Sequence, residues 1–125
     1  MKIIAEVIPH KDQKYPTVGN WFFKNPDTLH VEVSDTGNRV FNFLVAHHEI
    51  TEAFLCSQKG IGAAMVDEFD MAYEARRATD DDSEPGDDPH APYKREHCIA
   101  TGIERILAAE LGVDWKTYEE TLDSL

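Results

Sequence analysis

The sequence predicts an α+β domain in which two or three short N-terminal β-strands precede about four α-helices. Alternation of apolar and polar residues is confined to the first third of the chain, as in LHVEV at positions 29–33. From about Arg39 the apolar period lengthens to that of a helix. We find no internal repeat and no linker, and 125 residues are enough for one core, so a single domain over 1–125 is expected.

The strands are predicted first. β-Branched and aromatic residues fill MKIIAEVI at positions 1–8 and much of positions 21–35, and proline steps interrupt them at Pro9 and Pro26. The turn at 35–38 ends the last strand.

The helices follow this turn. Glycines and a capping aspartate indicate their limits. They are expected from about Arg39 to Gly60, from Gly62 to Arg77, from Pro92 or Tyr93 to Leu111, and from Asp114 to the last residues.

An acidic loop separates the second and third helices at about 79–92. It carries Pro, Gly and six acidic residues without an apolar period, which is typical of a solvated loop. No register in it supplies the alternating acids, the sixth-position glycine and the twelfth-position glutamate of an EF-hand. The loop is therefore not predicted to bind calcium in that way.

The formal net charge is -12. Such a charge repels phosphate backbones and anionic lipids, so we expect no nucleic-acid partner and no membrane partner, whereas cations and basic proteins remain candidate partners. Glu6 interrupts the N-terminal apolar run, no segment has the length of a membrane helix, and the two cysteines, Cys56 and Cys98, are expected to be buried thiols. These features favour a cytoplasmic protein.

Two ionisable residues of the first helix fall on its apolar side. With 100° per residue and Leu44 at 0°, His48 lies at about 40° and Glu52 at about 80°. A carboxylate turned toward a core is costly unless a cation, a donor or a proton neutralises it. Because residues four apart on a helix can converge on one ion, a shared metal would satisfy both side chains.

The segment His48-Glu49-x-x-Glu52 resembles the HExxH helix of the zincin metalloproteases, with Glu52 in place of the second histidine. The order of strands followed by a helix with Phe-Leu-Val-Ala-His is similar to a minimal zincin. The resemblance implies that His48 and Glu52 bind the metal and that Glu49 is the general base for a metal-bound water. The chain also resembles small uncharacterised phage or prophage proteins, which implies no activity.

A catalytic zinc ordinarily takes three protein ligands, so a third must come from elsewhere in the chain. The third helix is expected to pack on the first through an apolar stripe that includes Ile99 and Ile106. His97, near its start, is the predicted third ligand because neutral imidazole is the commonest zinc ligand. Glu96 lies nearer the centre of the stripe and is a rival, and His90 is the next choice. Glu104, two turns after His97, is a further candidate.

Several alternatives stay open at this stage. His48 and Glu52 could form a buried pair without a metal, Glu49 could be a solvated helix residue, and Glu104 could pair with a lysine or arginine. The first hypothesis is a metal-binding protein, with zinc or another divalent ion, that hydrolyses an unidentified small molecule or peptide. The alternatives are a non-catalytic acidic interaction or accessory protein with a structural His-Glu site, and a purely structural metal.

Overall fold

In the computed structural model, which describes residues 1–125, a three-stranded sheet precedes four helices, so the α+β prediction is confirmed. The elements are β1 (Lys2–Ile8), β2 (Gly19–Asn25), β3 (Thr28–Ser34), α1 (Arg39–Gln58), α2 (Ala63–Arg76), α3 (Lys94–Glu110) and α4 (Trp115–Asp123), with single-turn 3-10 helices at His10–Asp12 and Pro85–Asp87.

β3 is the central strand of the sheet. β1 runs parallel to it and β2 runs antiparallel, which gives the order β1-β3-β2. Alternate residues of β3 point to one face, where Leu29, Val31 and Val33 are fully buried. Trp21 lies opposite Val31 in the antiparallel pair and therefore shares this face.

α1 covers the buried face of the sheet over β3 and β2. It begins at Asn38, whose side-chain oxygen accepts hydrogen bonds from the Val40 N–H (2.9 Å) and the Phe41 N–H (3.2 Å). Gly60, just beyond its end, has a positive φ of 72°, in agreement with the predicted stop. With these two ends, the middle turns of α1 lie between the sheet and α3.

α3 packs on α1 as expected, but it uses a different face from the predicted one. Ile99 is 38% exposed and Ile106 is 69% exposed, so the stripe was predicted wrongly at these two residues, whereas Leu107, which also belongs to it, packs against the core. The inward face instead carries two small residues, which allow close approach of the helix backbones, and three ionisable ones: Glu96, His97, Ala100, Glu104 and Ala108.

The structure also corrects the expectation for Cys98 and excludes the alternative of a solvated Glu49. Cys56 is buried, but Cys98 is exposed because it follows the inward-facing His97 by one position, about 100° around the helix. Glu49 is not solvated but only 9% exposed.

One cluster of buried apolar side chains connects the sheet with all four helices. Tyr118 brings α4 into this cluster and has no exposed surface. No helix combines the length and the apolar character needed to cross a membrane.

Candidate metal centre

Three potential ligand atoms meet between α1 and α3. The His48 Nε2 lies 3.2 Å from the Glu52 Oε2 and 3.2 Å from the His97 Nδ1, and the His97 Nδ1 lies 3.0 Å from the Glu52 Oε2. The three side chains are between 4% and 7% exposed. Together they form a cluster that could hold a metal ion.

His48 is oriented from its other side by a carboxylate. Its Nδ1 donates a hydrogen bond to the Glu104 Oε1 at 2.8 Å, and the second oxygen of Glu104 accepts one from the Tyr118 hydroxyl at 2.5 Å. Because a carboxylate can only accept, this contact fixes the proton of His48 on Nδ1 and turns Nε2 toward Glu52.

Glu52 is held by a donor from the sheet. The Trp21 Nε1–H donates to its Oε1 at 3.1 Å, while its Oε2 faces both imidazoles. Trp21 occupies this place because the antiparallel register puts it under α1. The two oxygens of Glu52 are thereby assigned different partners.

His97 is enclosed by the acidic loop. Its Nε2 lies 2.9 Å from the Glu84 Oε2 and 3.6 Å from the Asp87 Oδ1, with hydrogen-bond geometry to neither. Gly86 lies against the imidazole ring, and a Cβ there would come within 2.4 Å of the His97 Cγ. A side chain at Gly86 would therefore prevent the loop from closing on His97.

The ionisable side chains of the cluster stabilise one another in their charged forms. Burial alone lowers the pKa of His48, but hydrogen bonds with Glu104 and Glu52 raise it well above its ordinary value. Burial likewise lowers the pKa of His97, which Glu52 and Glu84 raise to about 10. Burial raises the pKa of Glu52, and the two histidines outweigh this effect and lower it. Protons therefore occupy the space between these side chains when no metal is bound.

Glu49 stands beside the cluster with a free carboxylate. Its side chain lies against Gly19 at the start of β2, where a Cβ would come within 2.8 Å of Cγ and Oε1. Burial, together with the charge of Glu52, raises the pKa of Glu49 to about 8. A carboxyl group whose pKa lies near neutrality is suited to exchange a proton with a bound water.

A second polar group lies near Glu49 on α2. Asp70 is 8% exposed and accepts hydrogen bonds from the Tyr15 hydroxyl (2.9 Å) and the Tyr93 hydroxyl. Burial raises its pKa to about 6 against the opposing effect of these two bonds. Burial also raises the pKa of Tyr15 and Tyr93, so both side chains keep their hydroxyl protons and donate hydrogen bonds.

The cluster and Asp70 line one cleft with a volume of about 430 Å³. The start of β2, α1, α2, α3 and the acidic loop form its walls. About a third of the lining residues are Asp or Glu, and Arg77 is the one arginine or lysine among them. The cleft gives the cluster an approach from solvent on the side of the loop.

The structure brings together the three predicted ligands and separates the rivals from them. Glu96 instead pairs with the Lys59 Nζ at 2.8 Å. His90 is exposed on the loop, where its backbone N–H donates to Asp88. Glu104, which was expected to pair with a lysine or arginine, contacts His48 and Tyr118.

Sequence reasoning named only one of the residues that support the cluster. Glu104 lies seven positions after His97, which is two helical turns, so the spacing made it a candidate, but its contact with His48 was not predicted. No sequence pattern indicated Trp21, Glu84 or Gly86, because their place depends on strand register and on the path of the acidic loop.

No family model, curated protein or solved structure matches this chain.

Proposed function

We propose that the protein is a metal-dependent hydrolase with one divalent cation, zinc in the first instance, bound by His48, Glu52 and His97. The observation that carries the proposal is the convergence of three buried ligand atoms, each 3.0 or 3.2 Å from the other two. In a tetrahedral site with bonds of about 2.0–2.1 Å, ligand atoms lie about 3.3 Å apart. The cluster therefore needs only small shifts to accommodate zinc.

The outward-facing atoms of the ligands support this assignment. Metal-binding histidines ordinarily donate their second N–H to a carboxylate, which sets the ring orientation and raises ligand basicity. Glu104 has this relation to His48, and Glu84 and Asp87 stand on the corresponding side of His97.

The ligand set also indicates the chemistry. Two imidazoles and one carboxylate leave a coordination position for water or substrate in catalytic zinc sites, and the same set suits other divalent transition metals. The ion would supply Lewis acidity toward a water molecule or a carbonyl oxygen.

Glu49 is proposed as the general base. It has a free carboxyl group, lies one residue from His48 on α1 and lines the same cleft. Burial and the charge of Glu52 raise the pKa of Glu49 to about 8 in the metal-free protein. A cation bound by His48 and Glu52 would lower this pKa and so favour the basic form. The substrate is proposed to be a small molecule or peptide that enters past the acidic loop.

Metal binding is the first test. Protein stripped of metal should bind one zinc ion per chain in isothermal titration calorimetry, and His97→Ala should lose this binding. His90→Ala is the matched control, since His90 is an exposed histidine of the adjoining loop. Equal zinc affinity in wild type and His97→Ala would refute the site.

Catalysis is tested separately with Glu49→Gln. This variant should bind zinc like the wild type and lose turnover in a panel of chromogenic esters and peptides. Full turnover in Glu49→Gln would exclude its role as the base. Zinc binding without turnover of any substrate in wild type would favour a structural metal, and no zinc binding would favour the acidic accessory protein.

A further inference from the structure

We propose that β1 is a recognition edge through which two copies of this chain join into one continuous six-stranded sheet. β1 is at the border of the sheet and pairs only with β3. A strand with one free edge is a template for another strand, and natural proteins ordinarily protect such an edge. This interface is separate from the candidate metal centre and does not depend on it.

The free edge has hydrogen-bonding groups available. At the two ends of β1, the Lys2 N–H donates to the Asp27 carbonyl oxygen (2.7 Å) and the Asp35 N–H donates to the Ile8 carbonyl oxygen (2.8 Å). Even-numbered residues of β1 thus direct their backbone groups toward β3. The backbone groups of residues 3, 5 and 7 point away from the sheet, where a second strand can bind them.

The side chains of the same strand leave an apolar surface uncovered. Ile3 is 47% exposed and Val7 is 52% exposed, although they lie on the sheet face that α1 buries over β3. Phe43 of α1 is 50% exposed and lines, with Val7 and Ala46, a groove between α1 and β1. Covering this surface would remove large apolar side chains from water, which favours association.

Charge complementarity identifies the occupant as a second copy in antiparallel orientation. When a two-fold axis passes through Ile4, residue i faces residue 8 − i, so Lys2 of each copy lies opposite Glu6 of the other. A parallel arrangement would place identical charges side by side. An antiparallel register centred on Ala5 would set Glu6 against Ile4 and Lys2 against Ile8. Lys2 would then face no carboxylate, and Glu6 would keep only its contact with His30 of its own chain (2.8 Å). Opposite charges in facing positions stabilise strand pairs, and like charges destabilise them.

The dimensions of the sheet also fit. In this register both copies of α1 lie on the same face, each above its own β3 and β2 strands. Three strand spacings of about 4.8 Å separate the two β3 strands, so the helices are at least about 14 Å apart. Directly packed helices are closer, at 8–10 Å, so the two Phe43 side chains have room between the helices above both β1 strands.

Charge reversal tests the register. Wild type at about 100 µM is expected to have twice the mass of one chain in sedimentation equilibrium. Lys2→Glu and Glu6→Lys each create two like-charge pairs and should each weaken dimerisation at least about tenfold. An equimolar mixture of the two variants should recover dimers, because the acidic side chains at positions 2 and 6 of one variant then face the basic side chains of the other. A monomeric wild type, or a mixture no more dimeric than either variant alone, would overturn the proposal.

A backbone variant tests the edge itself. Ala5→Pro removes an N–H that points away from β3, and proline is tolerated at such edge positions. It should therefore be monomeric with the circular dichroism spectrum of wild type. Ala5→Ser is the matched control and should remain dimeric. Dimers of Ala5→Pro as strong as those of wild type would show that β1 is not the contact.

Discussion

Glu104 contributes to the candidate centre without being one of the proposed ligands. It sits 6% exposed between the His48 Nδ1 and the Tyr118 hydroxyl, and these two donors satisfy its two oxygens. Because Glu104 contacts both Tyr118 of α4 and His48, the position of α4 affects the orientation of a proposed metal ligand.

Glu104→Gln is therefore expected to weaken zinc binding about 10- to 100-fold while leaving the fold intact. The glutamine amide is neutral, so the variant lacks the negative charge that increases the basicity of the His48 imidazole. Isothermal titration calorimetry on metal-free protein measures the change. Glu110→Gln, at an exposed position of the same helix, should have wild-type affinity. Equal affinity in both variants would remove Glu104 from the description of the site.

Asp70 predicts a pH dependence of stability. Burial raises its pKa to about 6 in the folded protein, above the value of about 3.9 in an unfolded chain. Between these values the folded state holds the proton more tightly, so the free energy of unfolding falls as pH rises from about 4 to about 6 and stays lower above that range. The difference between a pKa of about 6 and one of about 3.9 limits this loss of folding stability to about 3 kcal/mol.

Urea denaturation of wild type and Asp70→Asn between pH 4 and pH 7, with a chelator present, isolates this residue. Relative to the variant, wild type should be most stable at pH 4 and lose its advantage by about pH 6. A difference between the two proteins that does not change with pH would contradict the expected protonation of Asp70.

At the scale of elements, the ends of the helices could be predicted from the sequence. The buried faces of the helices could be predicted only in part. Asn38, Gly60 and Asp114 mark helix limits through local hydrogen bonding or positive φ, and local sequence contains that information. The helical wheel of α1 placed His48 and Glu52 on the buried side correctly, because the apolar period of this helix is also contained in the local sequence. α3 differs because its buried face is polar, and its partners come from distant elements that periodicity does not reveal.

The acidic loop was expected to be solvated, but part of it belongs to the site. Gly86 is buried against His97, which brings the carboxylates of Glu84 and Asp87 to the outer side of the imidazole. No local pattern indicates this closure, because it depends on the absence of a side chain at one position. The loop thus links its own conformation to the orientation of a proposed ligand.

Two glycine substitutions test this link. Gly86→Ala places a methyl group within 2.4 Å of the His97 ring, so the loop or the ring must move, and zinc affinity should fall at least about tenfold. Gly102→Ala on α3 meets no atom within 4 Å and should increase stability by about 0.5–1 kcal/mol with unchanged zinc affinity. Calorimetry and urea denaturation measure both effects. Unchanged affinity in Gly86→Ala would show that the loop does not orient His97.

For the whole molecule, the candidate ion would connect parts of the chain that are far apart in sequence. His48 and His97 are 49 positions apart, on two helices whose packed faces include charged residues as well as small apolar ones. In the metal-free protein, bound protons offset the negative charge between these helices. A divalent ion would replace those protons by direct bonds to α1 and α3 and would be lost on unfolding, so its binding energy adds to the stability of the fold.

Zinc should therefore raise the unfolding temperature of the whole domain in one transition. At a free zinc concentration one hundred times the dissociation constant, the gain is about 2.7 kcal/mol, or roughly 10 °C for a chain of this size. Differential scanning calorimetry with zinc and with chelator measures the difference. His97→Ala should melt at one temperature under both conditions, whereas Cys98→Ala, at the exposed neighbouring position, should show the full zinc effect. An equal zinc effect in His97→Ala would mean that the ion stabilises the protein from another place, since an ion held between α1 and α3 cannot act without its ligand from α3.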